Sequence, residues 1–264
     1  MMERRAADSV ASWIDVPQRI RAGEVLPEPW ETLFGPLRGI APSGTVAVGQ
    51  IGQTLDGRVA TLSGHSHYIN GSAGLDHLHR LRAVVDAVVV GAGTVRADDP
   101  QLTVRRVAGP NPARVVLDPR ATLSGSARVF AADGSRRIVI TLEGASSQSS
   151  NDVEAIALAG STTHLDPEAI LDALSQRGLR RVLIEGGART VSRFLGAGCL
   201  DRLHVVVAPV ILGSGLPGLD LPPVARMTDA LRLPVHAHLL GDEVLFDCDL
   251  SARRASLGAA SRST

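Results

Sequence analysis

Residues 183–194 read L-I-E-G-G-A-R-T-V-S-R-F and bring a carboxylate, two adjacent glycines and a short apolar period into one stretch. Residues 181–184 are apolar and β-branched enough for a buried strand, Gly186 and Gly187 permit a tight turn, and residues 188–197 carry apolar side chains at helical spacing. A strand that runs through a glycine turn into a helix leaves the N–H groups of the first helical turn unpaired at the sheet edge. Those groups favour an anion such as a pyrophosphate. Glu185 closes the strand beside that anion site, where a phosphate would repel it, so its expected partner is a neutral polar ligand such as a heterocycle or a sugar. By pattern alone, an ordinary βα turn whose glycines serve close packing reads the same way.

A second glycine turn, residues 91–94, also follows a buried apolar run. If the two strands are neighbours, both turns share one sheet edge and a dinucleotide could lie across the crevice between them. G-A-G-T-V-R lacks the third glycine of the Rossmann fingerprint, which disfavours a standard Rossmann dehydrogenase. Arg82, Arg96, Arg105 and Arg106 surround this turn in sequence. A guanidinium grips a phosphate through two parallel hydrogen bonds, so a pair of them would suit a phosphomonoester, although solvated surface arginines give the same pattern. His65 and His67 lie in a polar loop, while His77 and His79, two apart on a helix, do not share a face, which makes a metal site a poor reading. H-x-E with a downstream P-C-x-x-C, G-x-S-x-G and G-K-[ST] are all missing, which removes the usual support for a zinc deaminase, a serine hydrolase and a phosphate-loop kinase.

The elements that must carry these residues follow from periodicity. Residues 45–52 read as a strand running to the Asp56-Gly57 turn, and Ser72 is placed to cap a helix with Leu75, Leu78, Leu81 and Val85 on one face. Further strands are expected at 87–90, 115–117, 129–130, 138–141, around Thr163 and at 203–208, and helices at 153–159 and 167–176. A hairpin turning at Gly241-Asp242 is expected to join strands 236–240 and 244–250. Strands alternating with helices and then a hairpin predict an α/β fold with a mostly parallel sheet, helices on both faces and an antiparallel end. Residues 1–43 differ in character: Trp13, Ile14, Val16 and Ile20 could line one helical face before the prolines at 27, 29 and 36, which suggests an appended segment docked on the main domain or on a partner. The chain thus divides into an extension (1–43), a main domain (44–252) and a flexible tail (253–264).

Composition bounds the partners. With 27 basic against 27 acidic residues the chain has no basic field for nucleic acid or an anionic membrane, so a small molecule is the expected ligand. No apolar run reaches membrane-spanning length and residues 1–8 lack a signal-peptide core, which predicts a cytoplasmic protein. Cys199 and Cys248 read as two buried free thiols.

Taken together, T-L-D-G-R-V-A, S-G-H-S-H-Y-I, G-A-G-T-V-R-A-D-D-P-Q-L-T-V-R, R-V-V-L-D, V-L-I-E-G-G-A and L-D-R-L-H-V-V-V-A-P-V-I-L-G-S-G resemble the reductase domain of bacterial riboflavin biosynthesis, the C-terminal half of the bifunctional deaminase-reductase. The resemblance runs from about residue 45 to 250. It implies a dihydrofolate-reductase-like fold, usually a homodimer, in which NADPH supplies hydride to convert the ribosyl group of a pyrimidinone ribosylamine phosphate to ribityl. By matched position it implies substrate contacts at Ser66, Arg82, Leu102, Arg105 and Glu185. NADPH contacts are implied at Gly52, Tyr68, Thr94, Asp98, Gly187, Ala188, Arg189, Thr190, Val191, Ser192 and Arg193. Glu185 and Asp56 are the carboxylates expected to serve catalysis, Asp56 by shaping the site from the L-D-G turn rather than by titrating. Arg114 and Arg120 are candidates for the 2′-phosphate. The deaminase half has no counterpart here, so a separate enzyme is expected to supply the preceding step. Family members commonly carry lysine in place of Gln50 and often tryptophan in place of Tyr68. These departures leave open a paralogue acting on another pterin-like or ribosylated heterocycle, dihydrofolate included, or a silent NADPH-binding or partner-binding protein.

Overall fold

The computed structural model describes residues 12–40, 44–66, 69–145, 152–161 and 164–261. In chain order its elements are α1 (Val16–Ala22), α2 (Trp30–Phe34), β1 (Val46–Thr54), β2 (Arg58–Thr61), α3 (Ser72–Val84), β3 (Ala87–Gly91), α4 (Ala92–Asp98), β4 (Ala113–Leu117), β5 (Arg137–Leu142), β6 (Glu154–Leu158), the short β7 (Gly160–Ser161) and β8 (His164–Leu165), α5 (Pro167–Ser175), β9 (Arg181–Glu185), α6 (Ala188–Gly196), β10 (Arg202–Ala208), β11 (Gly215–Pro217), β12 (Val235–Leu240), β13 (Glu243–Asp249) and α7 (Ser251–Ser261). The main sheet has nine strands in the order β12-β13-β10-β1-β9-β3-β4-β5-β6. Every pairing from β10 through to β6 is parallel, and β13 lies antiparallel to both of its neighbours. β2 and β11 form a separate antiparallel pair.

Because successive strand residues point to opposite faces, the continuous apolar runs of a parallel sheet supply two cores. Ala47, Ile51, Val115, Ile138 and Ile184 face Ile170 and Leu174 of α5 and Val191 and Phe194 of α6. Val48, Val88, Val90, Val116 and Leu183 point the other way, against Leu81 and Val84 of α3. The described part of the N-terminal extension completes that second layer. Val16, Ile20, Trp30 and Phe34 are buried in it, Trp13 donates its indole N–H to the Ala108 carbonyl at 2.7 Å, and Arg80 stacks over the rings of Trp13 and Trp30. Ile14, expected on the same face, is exposed, because the helix begins only at Val16. Of the two expected dockings, packing on the main domain is the one that buries these aromatics.

Several local expectations are corrected. Residues 153–159 are not a helix: 154–158 form β6, a sheet-edge strand whose ladder to β5 overrides the helix preference of its two alanines. Val129 and Phe130 lie in a 3-10 turn, Arg128–Phe130, where Val129 plugs the core. Ser72 does not cap α3. The N-cap position is Gly71, and the orphan N–H groups of Gly71 and Gly74 donate instead to the buried Glu243 carboxylate at 3.0 and 2.8 Å. The strand around Thr163 appears only as the short β7 and β8, Thr163 itself lying outside the described residues. Residues 251–261 run as α7, from which Arg254 pairs with Asp201. Cys199 and Cys248 are both buried and free.

Candidate active site

The C-terminal ends of the parallel strands β1, β9, β3 and β4 open onto one cleft of about 1130 Å³. Strands β3 and β9 are neighbours, with Val89 beside Ile184, so the two glycine turns do share a sheet edge. They approach closely. A Cβ on Gly187 would lie 2.7 Å from Thr94 Oγ1, and one on Gly91 would lie 2.7 Å from Thr190 Oγ1. Gly186 and Gly187 also hold φ of +71° and +66°, a region that L side chains rarely adopt, so both turns require glycine. No side chain caps α6, and the Thr190 N–H donates to the Gly187 carbonyl at 2.9 Å, which leaves the Ala188 and Arg189 N–H groups of the first turn to a ligand. The residues therefore fit the pyrophosphate of a dinucleotide.

Glu185 lies at the end of β9 on the cleft wall, and the structure gives it a partner that sequence did not. Arg82, from α3, donates through Nε to Glu185 Oε2 at 2.8 Å and through Nη2 to Oε1, and through Nη1 to the Thr103 carbonyl at 3.1 Å. The ion pair is buried on both sides. Arg82 is thus held by Glu185 instead of standing free for a phosphate. The backbone that presents Thr103 is itself strained, Leu102 being a buried non-glycine residue at φ +56°. Arg106 is likewise occupied, by Asp76 at 2.6 Å and Ser72 Oγ at 2.6 Å. The Arg105 side chain is exposed, and no hydrogen bond or ion pair within the described residues engages it. Its backbone N–H donates to His79 Nδ1 at 3.1 Å, and burial, with Arg82 and Arg105 nearby, pushes that imidazole down to about 4.

Asp56 lies outside the cleft lining. Its carboxylate accepts from Thr54 Oγ1 at 2.6 Å, Leu212 N–H at 3.1 Å and Gly213 N–H at 2.7 Å, and these bonds, that from Thr54 foremost, bring it down to about 2. It pins the loop after β10.

Of the other expected site residues, Gly52, Ser66, Thr94, Asp98, Ala188, Arg189, Thr190 and Arg193 line the cleft. Val191 faces the core, and Ser192, also buried, accepts from the Asp220 N–H at 2.8 Å. Tyr68 lies outside the described residues. Arg120 and Arg96 line the cleft at its β4 end, whereas Arg114 is buried against Asp133 and the Ala131 carbonyl and is not available to a 2′-phosphate. Sequence reading missed Asn70, which lines the cleft and donates to Glu243 at 2.8 Å. It also missed a buried chain beneath α3: His77 Nε2 meets His204 Nδ1 at 3.0 Å, and His204 Nε2 meets Asp247 Oδ1 at 3.1 Å. The two-residue histidine spacing signalled only that the rings diverge, His77 going to the sheet and His79 to Arg105. Among the described residues, no group of three or more His, Cys, Asp or Glu side chains is arranged to hold a metal ion.

Comparison with known proteins supplies the lineage. Residues 47–246 match the family model of the RibD C-terminal domain. The riboflavin biosynthesis protein RibD of Aquifex aeolicus is 39% identical over 173 residues, 64% of this chain and 48% of that protein. A 2,5-diamino-6-ribosylamino-4(3H)-pyrimidinone 5′-phosphate reductase of Methanothermobacter thermautotrophicus is 34% identical over 202 residues, 74% of this chain and 93% of that protein. Among solved structures, the diaminohydroxyphosphoribosylaminopyrimidine deaminase/5-amino-6-(5-phosphoribosylamino)uracil reductase of Thermotoga maritima superposes with a TM-score of 0.67 at 31% identity, covering 78% of this chain and 56% of that one. The chain spans about half the length of the RibD proteins it matches. With its mostly parallel sheet, two facing glycine turns and a family match over most of its length, the chain belongs to the RibD C-terminal domain family, the reductase domains of riboflavin biosynthesis.

Proposed function

We propose that the protein is an NADPH-dependent reductase that converts the ribosylamino group of a pyrimidinone ribosylamine phosphate to a ribitylamino group. The observation that carries this reading is the single cleft in which Glu185 lies beside the two facing glycine turns. One end holds groups suited to a dinucleotide, the other a carboxylate suited to a polar heterocycle. Thr94, the turn at Gly187, the α6 N-terminus and Arg193 would hold NADPH, with Arg120 and Arg96 towards its adenosine end, and the reduced nicotinamide supplies a hydride. In the ring-opened ribosylamine, hydride adds to the carbon of the C=N bond and a proton to its nitrogen, which leaves the ribitylamine. Glu185, fixed by Arg82, orients the substrate, while Ser66 and the strained Leu102 turn shape its seat. Arg105 takes the phosphate, since Arg82 is engaged elsewhere.

We take the reductase domain as residues 44–252, a reading supported by the family match at 47–246. The protein is proposed to work as a homodimer in the cytoplasm. The outermost strand, β12, exposes Val235 and Leu239 with Phe246 beside them, an apolar edge suited to a second copy, and light scattering of the purified protein tests it. No helix of the described residues is long and apolar enough to cross a membrane. The deciding experiment is NADPH oxidation with the deaminated pyrimidinone ribosylamine phosphate, its undeaminated precursor and dihydrofolate in parallel. Turnover of a pyrimidinone is expected. Turnover of dihydrofolate alone, or of none of the three, overturns the reading.

A further inference from the structure

Arg105 sits in a loop, residues 103–111, that closes on itself, the Val104 N–H donating to Asn111 Oδ1 at 2.6 Å. One line of α3 fixes the outgoing arm. Asp76, His79 and Arg82 lie three residues apart and so follow one another along the helix; Asp76 accepts from Arg106, His79 accepts from the Arg105 N–H, and Arg82 donates to the Thr103 carbonyl. The returning arm is more open, with Ala108, Gly109 and Pro110 exposed. Gly109 lies directly on the end of α3, where at φ +151° a Cβ would stand 2.6 Å from Ala83 Cβ and 3.6 Å from Pro17 Cγ. Beside it, the Ala108 carbonyl accepts from Trp13 Nε1 at 2.7 Å.

Pro17 and Trp13 belong to the N-terminal extension, which precedes the family match at 47–246. The extension is firmly seated. Trp13 packs edge-on against Trp30 and Phe34, with ring centroids 5.2 and 5.4 Å apart, and Arg80 of α3 lies over both tryptophans. Phe34 stacks on His77 of α3, and Arg21 donates to the Ala83 carbonyl at 3.2 Å. From the start of β9, Arg181 donates to the Ile20 and Leu37 carbonyls at 3.1 and 3.0 Å. A fixed aromatic platform therefore aims one donor at a loop whose two arms are tied together. Holding Ala108 restrains Val104 through Asn111, and with it the neighbouring Arg105. An unrestrained loop would have to be ordered by the ligand itself, at a cost in affinity.

We propose that the N-terminal extension is a clamp on the Arg105 loop, and that Trp13 is its positioning residue, presenting Arg105 to the substrate phosphate through the Ala108 carbonyl. Trp13 does not line the cleft, so it acts only through the loop. The proposal rests on the reductase reading, in which Arg105 takes the phosphate, and gives the residues before 44 a part in substrate binding.

The test is Trp13→Phe, which keeps an aromatic ring in the cluster and removes the N–H. Wild type, Trp13→Phe, Arg105→Ala and the double variant are compared with the pyrimidinone ribosylamine phosphate and with its dephosphorylated form. For Trp13→Phe the expected result is a KM for the phosphorylated substrate raised about fivefold, the worth of one neutral hydrogen bond, with kcat within about twofold of wild type. KM for the dephosphorylated form and the NADPH dissociation constant should stay within about twofold. In the Arg105→Ala background the same change should move KM by less than about twofold, because the group that the clamp serves is gone. Amide exchange at Val104 and Arg105 should quicken. Gly109→Ala, which lifts the same arm off Ala83 from the loop side, should reproduce the pattern, so the outcome does not hang on the folding of one variant. Equal losses with both substrates, or a Trp13→Phe effect that persists in full without Arg105, would make Trp13 merely structural and overturn the proposal. If wild type turns over no pyrimidinone, the reductase reading falls and the proposal with it. If wild type is active and both Trp13→Phe and Gly109→Ala match it, the proposal alone falls.

Discussion

Breaking the Arg82–Glu185 pair tests whether the cleft is built around it. The two side chains are only 6% and 10% exposed, and two guanidinium hydrogen bonds bind the carboxylate. Arg82→Met leaves the carboxylate in a poorly solvated wall with no cation and removes the bond to the Thr103 carbonyl. Stranding one member of a buried pair costs about 3–5 kcal/mol. At about 2.1 cal/mol/K of unfolding entropy per residue, a chain of 264 residues should lose about 5–9 °C in melting temperature for that cost. Glu185→Leu should cost a similar amount, because it strands the guanidinium. The double variant Arg82→Met/Glu185→Leu removes both charges and should lie well above the sum of the singles, since replacing a whole buried pair by apolar groups is often near neutral. Urea denaturation of wild type, both singles and the double gives the coupling energy directly. Additive singles, or an Arg82→Met variant within about 1 kcal/mol of wild type, would refute the argument. Activity should be lost in all three variants, including the stable double.

Other perturbations probe the remaining parts. Gly187→Ala forces a side chain into φ +66° and against Thr94 Oγ1, so the NADPH dissociation constant should rise about tenfold or more by fluorescence titration, with the fold retained by circular dichroism. His79, at about 4 in the folded protein and near 6.5 unfolded, contributes stability that is fully present above pH 6.5 and lost as pH falls towards 4, where the unfolded chain binds the extra proton first. Burial, with His204 beside it, lowers His77 in the same direction, so the readout is the difference between wild type and His79→Gln, whose urea midpoint should fall less between pH 7 and 5. Asp56→Ala removes the acceptor of the Leu212 and Gly213 amides, and hydrogen exchange at those two positions should accelerate while exchange in β10 stays protected.

The sequence was readable where one physical signal acted locally. Residues 181–208 give β9, the glycine turn, α6 and β10 almost as expected, because β-branched runs, paired glycines and a helical period lie in order along the chain. Residues 153–159 misled for the opposite reason: a short stretch with three alanines carries little intrinsic preference for a strand, and only the ladder to β5 decides it. Glycine turns pointed to the cleft, but the state of its side chains depends on partners far away in the chain. Arg82 looked available for a phosphate until Glu185 was seen to occupy it, and Ser72 looked like the cap of α3 until Glu243 was found there. Nothing in the local sequence around residue 72 announces residue 243. Gln50 stood out in the sequence through its departure from the usual lysine. That it lines the cleft level with Glu185 is visible only in three dimensions.

The placement of β1 also bears on how the protein is made. This is the first strand of the described chain to leave the ribosome, yet it lies near the middle of the sheet, between β9 and β10. Val46 waits for Arg181, and Val48 for Arg202, before either edge is paired. At synthesis rates of about 5–20 residues per second, that interval is on the order of ten seconds. Throughout it, the run V-A-V-G-Q-I-G is a β-prone segment with both edges open, the kind of template that invites pairing with another nascent chain. Gln50 and Glu185, level on β1 and β9 in the cleft wall, meet only at the end of that wait.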